Sequence, residues 1–285
     1  MVMGLRRLAV LALALLFCIV LLGQAPHADV EIARDLVYAT ADGEALKLDV
    51  YLPRGVAGPT PVVLAFHGGS WMANGRPEMG ALAEYLATRG YAVVAPSYRL
   101  APRHIYPAQL EDARAAARWV TEHAKEYRWD LGRFVLLGHS AGGQLAGLLA
   151  TDRPADLPKP RCMVDLFGPM DFTGVPPSLK AKWAVKLYLG AAQEEEPELY
   201  AAASPITHVT PDDPPFLILH GTRDDVVPIT QSERMRAALT AAAVPVDYHA
   251  VPGAGHILPT PSTAAGRAML EHIAAYLRVR CPAGE

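Results

Sequence analysis

The stretch Gly138-His139-Ser140-Ala141-Gly142 joins two runs of different character. Residues 134–137 before it are wholly apolar, which is typical of a buried strand, and residues 144–150 after it have a helical pattern. A strand, a Gly-x-Ser-x-Gly turn and a helix form the context of a nucleophile elbow, which exposes the serine hydroxyl above a sheet. The stretch therefore predicts a nucleophilic serine, although the pentapeptide alone fits an ordinary glycine-rich turn equally well.

The apolar runs and the helical patterns alternate along the chain, which predicts an α/β fold with a mostly parallel sheet of about eight strands. Runs buried on both faces suit central strands, so we expect helices on both sides of the sheet. Residues 30–38 and 45–52 predict an antiparallel N-terminal hairpin. The other predicted strands cover residues 61–66, 91–95, 134–137, 166–167, 216–219 and 246–251. The predicted helices cover residues 79–88, 108–127, 143–151, 229–242 and 263–278.

One segment interrupts the alternation. Residues 169–214 are rich in alanine, glutamate and proline, and residues 181–189 predict a helix inside the segment. Inserts of this length within a compact domain usually have a function. We expect a small lid over the site, and the alternative is a peripheral helix that only packs on the sheet.

The composition of the 285-residue chain limits the function classes. The net charge is −3 and mixed along the chain, with no basic stripe, so we expect no nucleic-acid partner. No Cys or His spacing resembles a zinc site, and we expect no metal or other cofactor. Residues 29–285 have the length of a single large domain.

Residues 1–28 predict a targeting segment. Arg6 and Arg7 precede an apolar run over residues 8–22, and small residues follow. This order is typical of a signal peptide, and the run is short for a spanning helix. We expect an exported protein, periplasmic or secreted. The alternative is an uncleaved N-terminal anchor, the only case in which we expect a membrane contact.

Two cysteines, Cys162 and Cys281, remain after the targeting segment. An even count in an oxidising compartment makes a disulfide possible, and two separate thiols are the alternative. The sequence does not give the Cα separation that a disulfide requires, so both states stay open.

Three further strand ends carry reactive groups or backbone donors. The strand ending at residue 66 is followed by two glycines, Gly68 and Gly69, whose N–H groups are candidate oxyanion donors together with that of Ala141. The strand ending at residue 219 leads to Asp224, our candidate acid, with Asp225 as its rival. The last strand leads into a short glycine-rich loop with His256, our candidate base.

The chain order serine, aspartate, histidine is that of the α/β-hydrolases. Six stretches carry a resemblance to a known group: His67-Gly68-Gly69-Ser70-Trp71, Ser97-Tyr98-Arg99-Leu100, Tyr106-Pro107-Ala108, Gly138 to Gly143, His220-Gly221 through Pro228, and Gly253-Ala254-Gly255-His256. On these stretches the sequence resembles the bacterial lipase and esterase group of this fold, which includes the hormone-sensitive-lipase-like and feruloyl-esterase-like (BD-FAE) enzymes. One departure is Ser70, where the hormone-sensitive-lipase-like pattern has a third glycine.

The resemblance implies a serine carboxylesterase that acts on small to medium acyl esters through Ser140, His256 and Asp224. Alternatives are an arylformamidase or amidase on the same scaffold, and a non-catalytic binding protein with a hydrolase fold. Trp71, Trp183 and Tyr188 are possible residues of the substrate pocket, although each fits an ordinary core position equally well.

Overall fold

The structure is a computed structural model, and it describes residues 29–174 and 179–283. The predicted targeting segment, residues 1–28, lies outside the described residues, as does a short part of the predicted lid, residues 175–178. Within the described ranges, no helix combines the length and the apolar character that crossing a membrane requires.

An eight-stranded sheet organises the chain, with the strand order β1-β2-β4-β3-β5-β6-β7-β8. The β1–β2 and β2–β4 pairs are antiparallel, and every other neighbouring pair is parallel. This is the mostly parallel sheet with an antiparallel N-terminal hairpin that the sequence predicts. The strands are β1 (Val30–Ala41), β2 (Glu44–Pro53), β3 (Thr60–Phe66), β4 (Ala92–Pro96), β5 (Trp129–His139), β6 (Cys162–Leu166), β7 (Phe216–Gly221) and β8 (Val246–Val251).

Seven helices lie among the described residues, and 3₁₀ turns cover Arg76–Met79 and Pro205–His208. All six helices that the sequence predicts are present, and a further short helix, α5, lies in the insert. The helices are α1 (Gly80–Ala87), α2 (Ala108–His123), α3 (Ala141–Thr151), α4 (Leu179–Leu189), α5 (Pro197–Ala202), α6 (Thr230–Ala241) and α7 (Ala264–Arg280).

The apolar runs are unbroken because the central strands are buried on both faces. In β3, Val62 and Leu64 belong to one hydrophobic cluster, whereas Val63 and Ala65 belong to a second cluster on the opposite face. Successive side chains of a strand point to opposite faces, so helices must cover both sides of the sheet. Because helices cover both faces of the sheet, the exposed loops lie at the two ends of the strands, where a site can form.

The strand that the sequence predicts at this place is shorter than β5 and lacks its first part. The prediction begins at residue 134, but the strand begins at Trp129, with backbone pairing of Thr60 to Trp129 and of Pro61 to Asp130. Residues 130–133 include two charged residues and a glycine, so they show no apolar run. Backbone pairing with β3 extends the strand where the side-chain pattern gives no signal.

The two cysteines lie together in the core. Cys162 begins β6 and Cys281 follows α7, and their Sγ atoms lie 3.6 Å apart as free thiols, both fully buried. The side chains therefore link the end of the last helix to the sheet by contact, without a covalent bond in this structure.

Asp165 of β6 is a buried carboxyl beneath the nucleophile elbow. Its Oδ1 accepts a hydrogen bond from the Gly168 N–H at 2.9 Å, and its Oδ2 has no hydrogen-bond partner within residues 29–174 and 179–283. Burial raises the pKa of Asp165 to about 7, against the opposing effects of the Gly168 hydrogen bond and of His220. From the ordinary carboxyl pKa up to about pH 7, the folded protein therefore holds a proton that the unfolded chain releases.

We expect Asp165→Asn to stabilise the protein by an amount that grows with pH. From the ordinary carboxyl pKa up to about 7, only the folded state keeps this proton, so the wild type loses up to about 1.4 kcal/mol of unfolding free energy per pH unit. Asparagine keeps the oxygen that accepts from Gly168 and does not ionise. Urea unfolding of the wild type and of Asp165→Asn at about pH 5 and about pH 7 measures the difference in their free energies of unfolding. A difference that stays constant between the two pH values would contradict the assignment.

Candidate active site

Ser140 lies on a strained corner between β5 and α3. Its backbone angles are φ 53° and ψ −124°, a conformation that non-glycine residues rarely adopt. The Ser140 N–H donates a 2.9 Å hydrogen bond to the carbonyl of Leu166 on the neighbouring strand, which holds the corner in place. Such strain costs about 1–3 kcal/mol and persists only where the surroundings impose it.

Glycines on both sides of Ser140 allow this close approach. A Cβ atom on Gly142 would lie 2.2 Å from the carbonyl oxygen of Phe66, and one on Gly138 would lie 2.1 Å from the carbonyl oxygen of Gly142. These contacts involve backbone atoms, which cannot move aside as a flexible side chain could. The Gly-x-Ser-x-Gly spacing is therefore a packing requirement of the elbow.

The structure brings Ser140, His256 and Asp224 into one hydrogen-bonded row. The Ser140 Oγ lies 2.9 Å from the His256 Nε2, and the His256 Nδ1 lies 2.7 Å from the Asp224 Oδ2. Two loops at the carboxyl ends of β7 and β8 present the last two residues. The loops are joined by a hydrogen bond from the Arg223 N–H to the Ala254 carbonyl at 2.9 Å, which fixes one relative to the other.

Asp224 is held as a carboxylate. Its side chain is fully buried, which opposes ionisation, but hydrogen bonds from His220 and His256, the charge of His256 and the Val227 N–H outweigh burial. Together they hold the pKa of Asp224 well below its usual range. The N–H groups of Val226 and Val227 both donate to Oδ1 at 2.9 Å, which leaves Oδ2 for His256.

Two further features of this loop bear on the choice of acid. Asp225, the rival candidate, is exposed at the cavity, and the carboxylate that bonds to His256 is that of Asp224. His220 is fully buried, with its Nε2 2.9 Å from the Val227 carbonyl oxygen and 3.3 Å from the Asp224 Oδ2, and with its Nδ1 2.7 Å from the Ser232 Oγ. No sequence pattern predicts a role for His220, although it lies only four residues before Asp224.

The first glycine of the oxyanion candidates differs from its expected role. The Gly68 N–H donates to the His139 Nε2 at 2.9 Å, so this donor is already engaged. By contrast, the N–H groups of Gly69 and Ser70 have no acceptor within the described residues. Ser70 and Ala141 both line the cavity in front of Ser140. The free donors of this loop are therefore shifted by one residue along the chain from the predicted pair.

A largely apolar cavity of about 200 Å³ opens at Ser140. The insert over residues 169–214 contributes much of its wall, including Ala184 and Val185 of α4 and Tyr200 of α5. The Tyr200 hydroxyl donates to the Ala191 carbonyl at 3.1 Å, so the apolar ring forms the wall while the polar group is bonded elsewhere.

The three aromatic pocket candidates lie in different places. Trp71 lines the cavity, with its ring stacked on Tyr188 at a centroid distance of 4.2 Å. Tyr188 is fully buried behind Trp71 and does not belong to the cavity lining. Trp183 also lies outside the lining, with 61% of its surface exposed, because it is on the outer face of α4. Only Trp71 among the three can contact a molecule in the cavity.

The sheet topology and the position of Ser140 at its carboxyl edge define an α/β-hydrolase fold. The chain belongs to the BD-FAE family, whose family model matches residues 48–239. Among characterised proteins, it is 33% identical over 234 residues to "Esterase LipC" of Mycobacterium tuberculosis, a match that covers 75% of this chain and 57% of that one. The chain thus spans little more than half the length of this relative.

Solved structures agree with this classification. A structure titled "Truncated form of carbohydrate esterase from gut microbiota" superposes with a TM-score of 0.75 at 26% identity, covering 88% of this chain and 99% of that chain. The esterase Est2 of Thermogutta terrifontis superposes with a TM-score of 0.75 at 26% identity, covering 90% of this chain and 96% of that chain. The similarity therefore extends over nearly all of the described domain.

We expect Gly142→Ala to destabilise the fold and Gly58→Ala to leave it nearly unchanged. The new methyl group at residue 142 would meet the Phe66 carbonyl at 2.2 Å, whereas at residue 58 it would meet nothing within 4 Å. Overpacking of this kind costs about 1–3 kcal/mol or more. Thermal unfolding of both variants measures the effect, and equal melting temperatures for the two would contradict this packing requirement.

Proposed function

We propose that the protein is a serine carboxylesterase that hydrolyses small to medium acyl esters, with Ser140 as nucleophile, His256 as general base and Asp224 as acid partner. The hydrogen-bonded row of these three side chains, with separations of 2.9 Å and 2.7 Å, carries the proposal. Membership of the BD-FAE family and the esterase relatives support the same reaction.

In the first step, the Ser140 oxygen attacks the ester carbonyl while the His256 Nε2 takes the hydroxyl proton. The ionised Asp224 accepts the Nδ1–H of His256, fixes the tautomer that leaves Nε2 free to accept, and stabilises the imidazolium that forms. The depressed pKa of Asp224 suits this task, because the carboxylate stays charged at any pH at which the histidine can act as a base.

The negative charge that develops on the carbonyl oxygen requires preorganised donors. We assign this task to the N–H groups of Gly69, Ser70 and Ala141, since the Gly68 N–H is bonded to His139. Ala141 is the first residue of α3, so its N–H also lies at the positive end of a helix dipole. The replacement of a third glycine by Ser70 leaves the backbone donor in place.

The second step regenerates the enzyme. His256 gives its proton to the leaving alcohol oxygen, and the acyl group remains on Ser140. His256 then takes a proton from water, which attacks the acyl carbonyl, and the returning proton releases the acid from Ser140. This chemistry needs no group beyond the residues described.

The cavity favours a short apolar acyl group. Its volume of about 200 Å³ is small, and most of its lining is apolar, including Phe172, Ala184 and Val185. Structures of the Thermogutta esterase are titled as propionate-bound and butyrate-bound, which are acids of this size class. We further propose that the protein is exported, because residues 1–28 have the order of a signal peptide. We also propose that it acts on acylated carbohydrate fragments, because its structural neighbours include a carbohydrate esterase.

We expect Ser140→Ala to lower kcat/KM for p-nitrophenyl butyrate by at least about 10⁴-fold, because the nucleophile is lost. Steady-state hydrolysis monitored by p-nitrophenolate release measures the effect, and thermal unfolding checks that the variant is folded. Activity within tenfold of the wild type would rule out Ser140 as the nucleophile.

We expect Asp224→Asn to lower kcat far more than Asp225→Asn, by about 10²-fold to 10⁴-fold against less than about threefold. The two variants make the same chemical change at adjacent residues, but only Asp224 contacts His256. The same p-nitrophenyl butyrate assay compares them. A larger loss in the Asp225 variant would move the acid to that residue.

A further inference from the structure

Gln144 is a buried polar residue that the proposed mechanism does not use. It lies on α3 one helical turn after Ser140, and its side chain is fully buried. Its Oε1 accepts hydrogen bonds from the Trp71 Nε1 at 3.0 Å and from the Tyr188 hydroxyl at 3.4 Å. Its Nε2 donates to the Ala203 carbonyl at 2.7 Å. All of these partners are distant in sequence.

The loop that Gln144 contacts is strained. Gly69, Ser70 and Trp71 have φ values of 109°, 54° and 60°, so three consecutive residues lie in the left-handed region. For the two non-glycine residues this costs about 1–3 kcal/mol each, and such a conformation persists only when surrounding contacts impose it. The hydrogen bond to Gln144 is the polar contact that the structure gives the Trp71 side chain.

The other contacts of Trp71 do not fix its position relative to α3. The Trp71 ring stacks on Tyr188 and makes an edge contact with Phe172 at a centroid distance of 5.7 Å. Both contacts are apolar and allow the rings to shift relative to each other. The Trp71 carbonyl accepts from the Ala101 N–H at 2.8 Å, which restrains the backbone at the far end of the loop. The directional bond to Gln144 is the one that links the loop to the helix that follows the nucleophile.

We propose that Gln144 is a positioning residue that sets the distance between the two sides of the oxyanion hole. The Ala141 donor belongs to the start of α3, and the Ser70 donor directly precedes Trp71. A buried amide that joins α3 to Trp71 therefore holds one donor group relative to the other. This inference rests on the proposed function, since it assumes that both groups bind the oxyanion.

The same amide couples the insert to this loop. Tyr188 lies near the C-terminus of α4 and Ala203 directly follows α5, so both belong to the segment over residues 169–214. Gln144 thus satisfies one group from the oxyanion loop and two from the insert. Its loss would leave buried donors and an acceptor without partners, and the strained loop would relax away from Ser140.

A misplaced oxyanion hole affects the chemical step more than binding. Donors aimed at the developing charge act mainly in the transition state, so their displacement lowers kcat and changes KM little. A purely structural role would instead lower the melting temperature and leave kcat per folded molecule unchanged. This split distinguishes the two roles.

The experiment compares Gln144→Met, Trp71→Phe and the double variant, each with p-nitrophenyl butyrate as substrate. Methionine fills the volume without hydrogen bonds to the loop, and phenylalanine removes the indole donor from the other side of the same bond. Thr151→Val is the matched control. Thr151 is also buried on α3, and its hydroxyl bonds to the Gly147 carbonyl and to the Pro205 carbonyl of the insert, each at 3.1 Å, but not to the oxyanion loop.

We expect Gln144→Met to lower kcat by about 10-fold to 100-fold with KM within about threefold, since small displacements of catalytic groups have effects of this size. Trp71→Phe should lower kcat similarly, and the double variant should lose little more than either single variant, because both remove one interaction. Thr151→Val should keep kcat within about twofold. If Gln144→Met does not fold, Gln144→Leu tests the loss of the same bond, since Trp71→Phe also changes the cavity wall.

Titration with diethyl p-nitrophenyl phosphate separates failure of this inference from failure of the proposed function. If the wild type and Gln144→Met both release one equivalent of p-nitrophenolate, unchanged kcat in the variant overturns the positioning role. Fully multiplicative losses in the double variant also overturn it. If the wild type releases no p-nitrophenolate, the proposed function fails, and the inference fails with it.

Discussion

The close contact between the end of β3 and the start of α3 is the constraint on which the site depends. Gly142 brings its backbone against the Phe66 carbonyl, and Ser140 adopts its strained conformation two residues before this contact. The oxyanion loop leaves β3 directly after Phe66, so the same contact brings the loop beside the nucleophile. This backbone contact therefore sets where the serine and the donors of the loop meet.

The hydrogen-bond donors around two buried aspartates, Asp224 and Asp165, then determine the charge state of each. The buried Asp224 remains ionised because two histidines and two backbone N–H groups bond to it, which outweighs the loss of hydration. The nearby Asp165, with one engaged oxygen, has the opposite balance and keeps its proton up to about pH 7. The two buried aspartates thus differ in the pH at which they ionise because they differ in the number of donors.

The sequence was sufficient for most strands and helices, though not for the short α5 or the first part of β5. It was also sufficient for the meeting of Ser140, Asp224 and His256, because strand ends at one edge of a parallel sheet meet. It was insufficient where contacts across the fold decide. Gln144 and His220 owe their surroundings to side chains that no local pattern reveals. The engagement of the Gly68 N–H by His139 and the exposure of Trp183 likewise follow from packing, since an aromatic residue alone does not indicate which face of its helix is buried.

The most direct test of the central claim is to identify the residue that forms the covalent intermediate. Peptide mass mapping after reaction with an organophosphate ester reports both the stoichiometry and the modified residue. We predict one adduct per chain on the peptide that contains Ser140, and no adduct after His256→Ala under the same brief exposure. An adduct on another serine of the cavity, such as Ser70, or an unmodified wild-type protein, would contradict it.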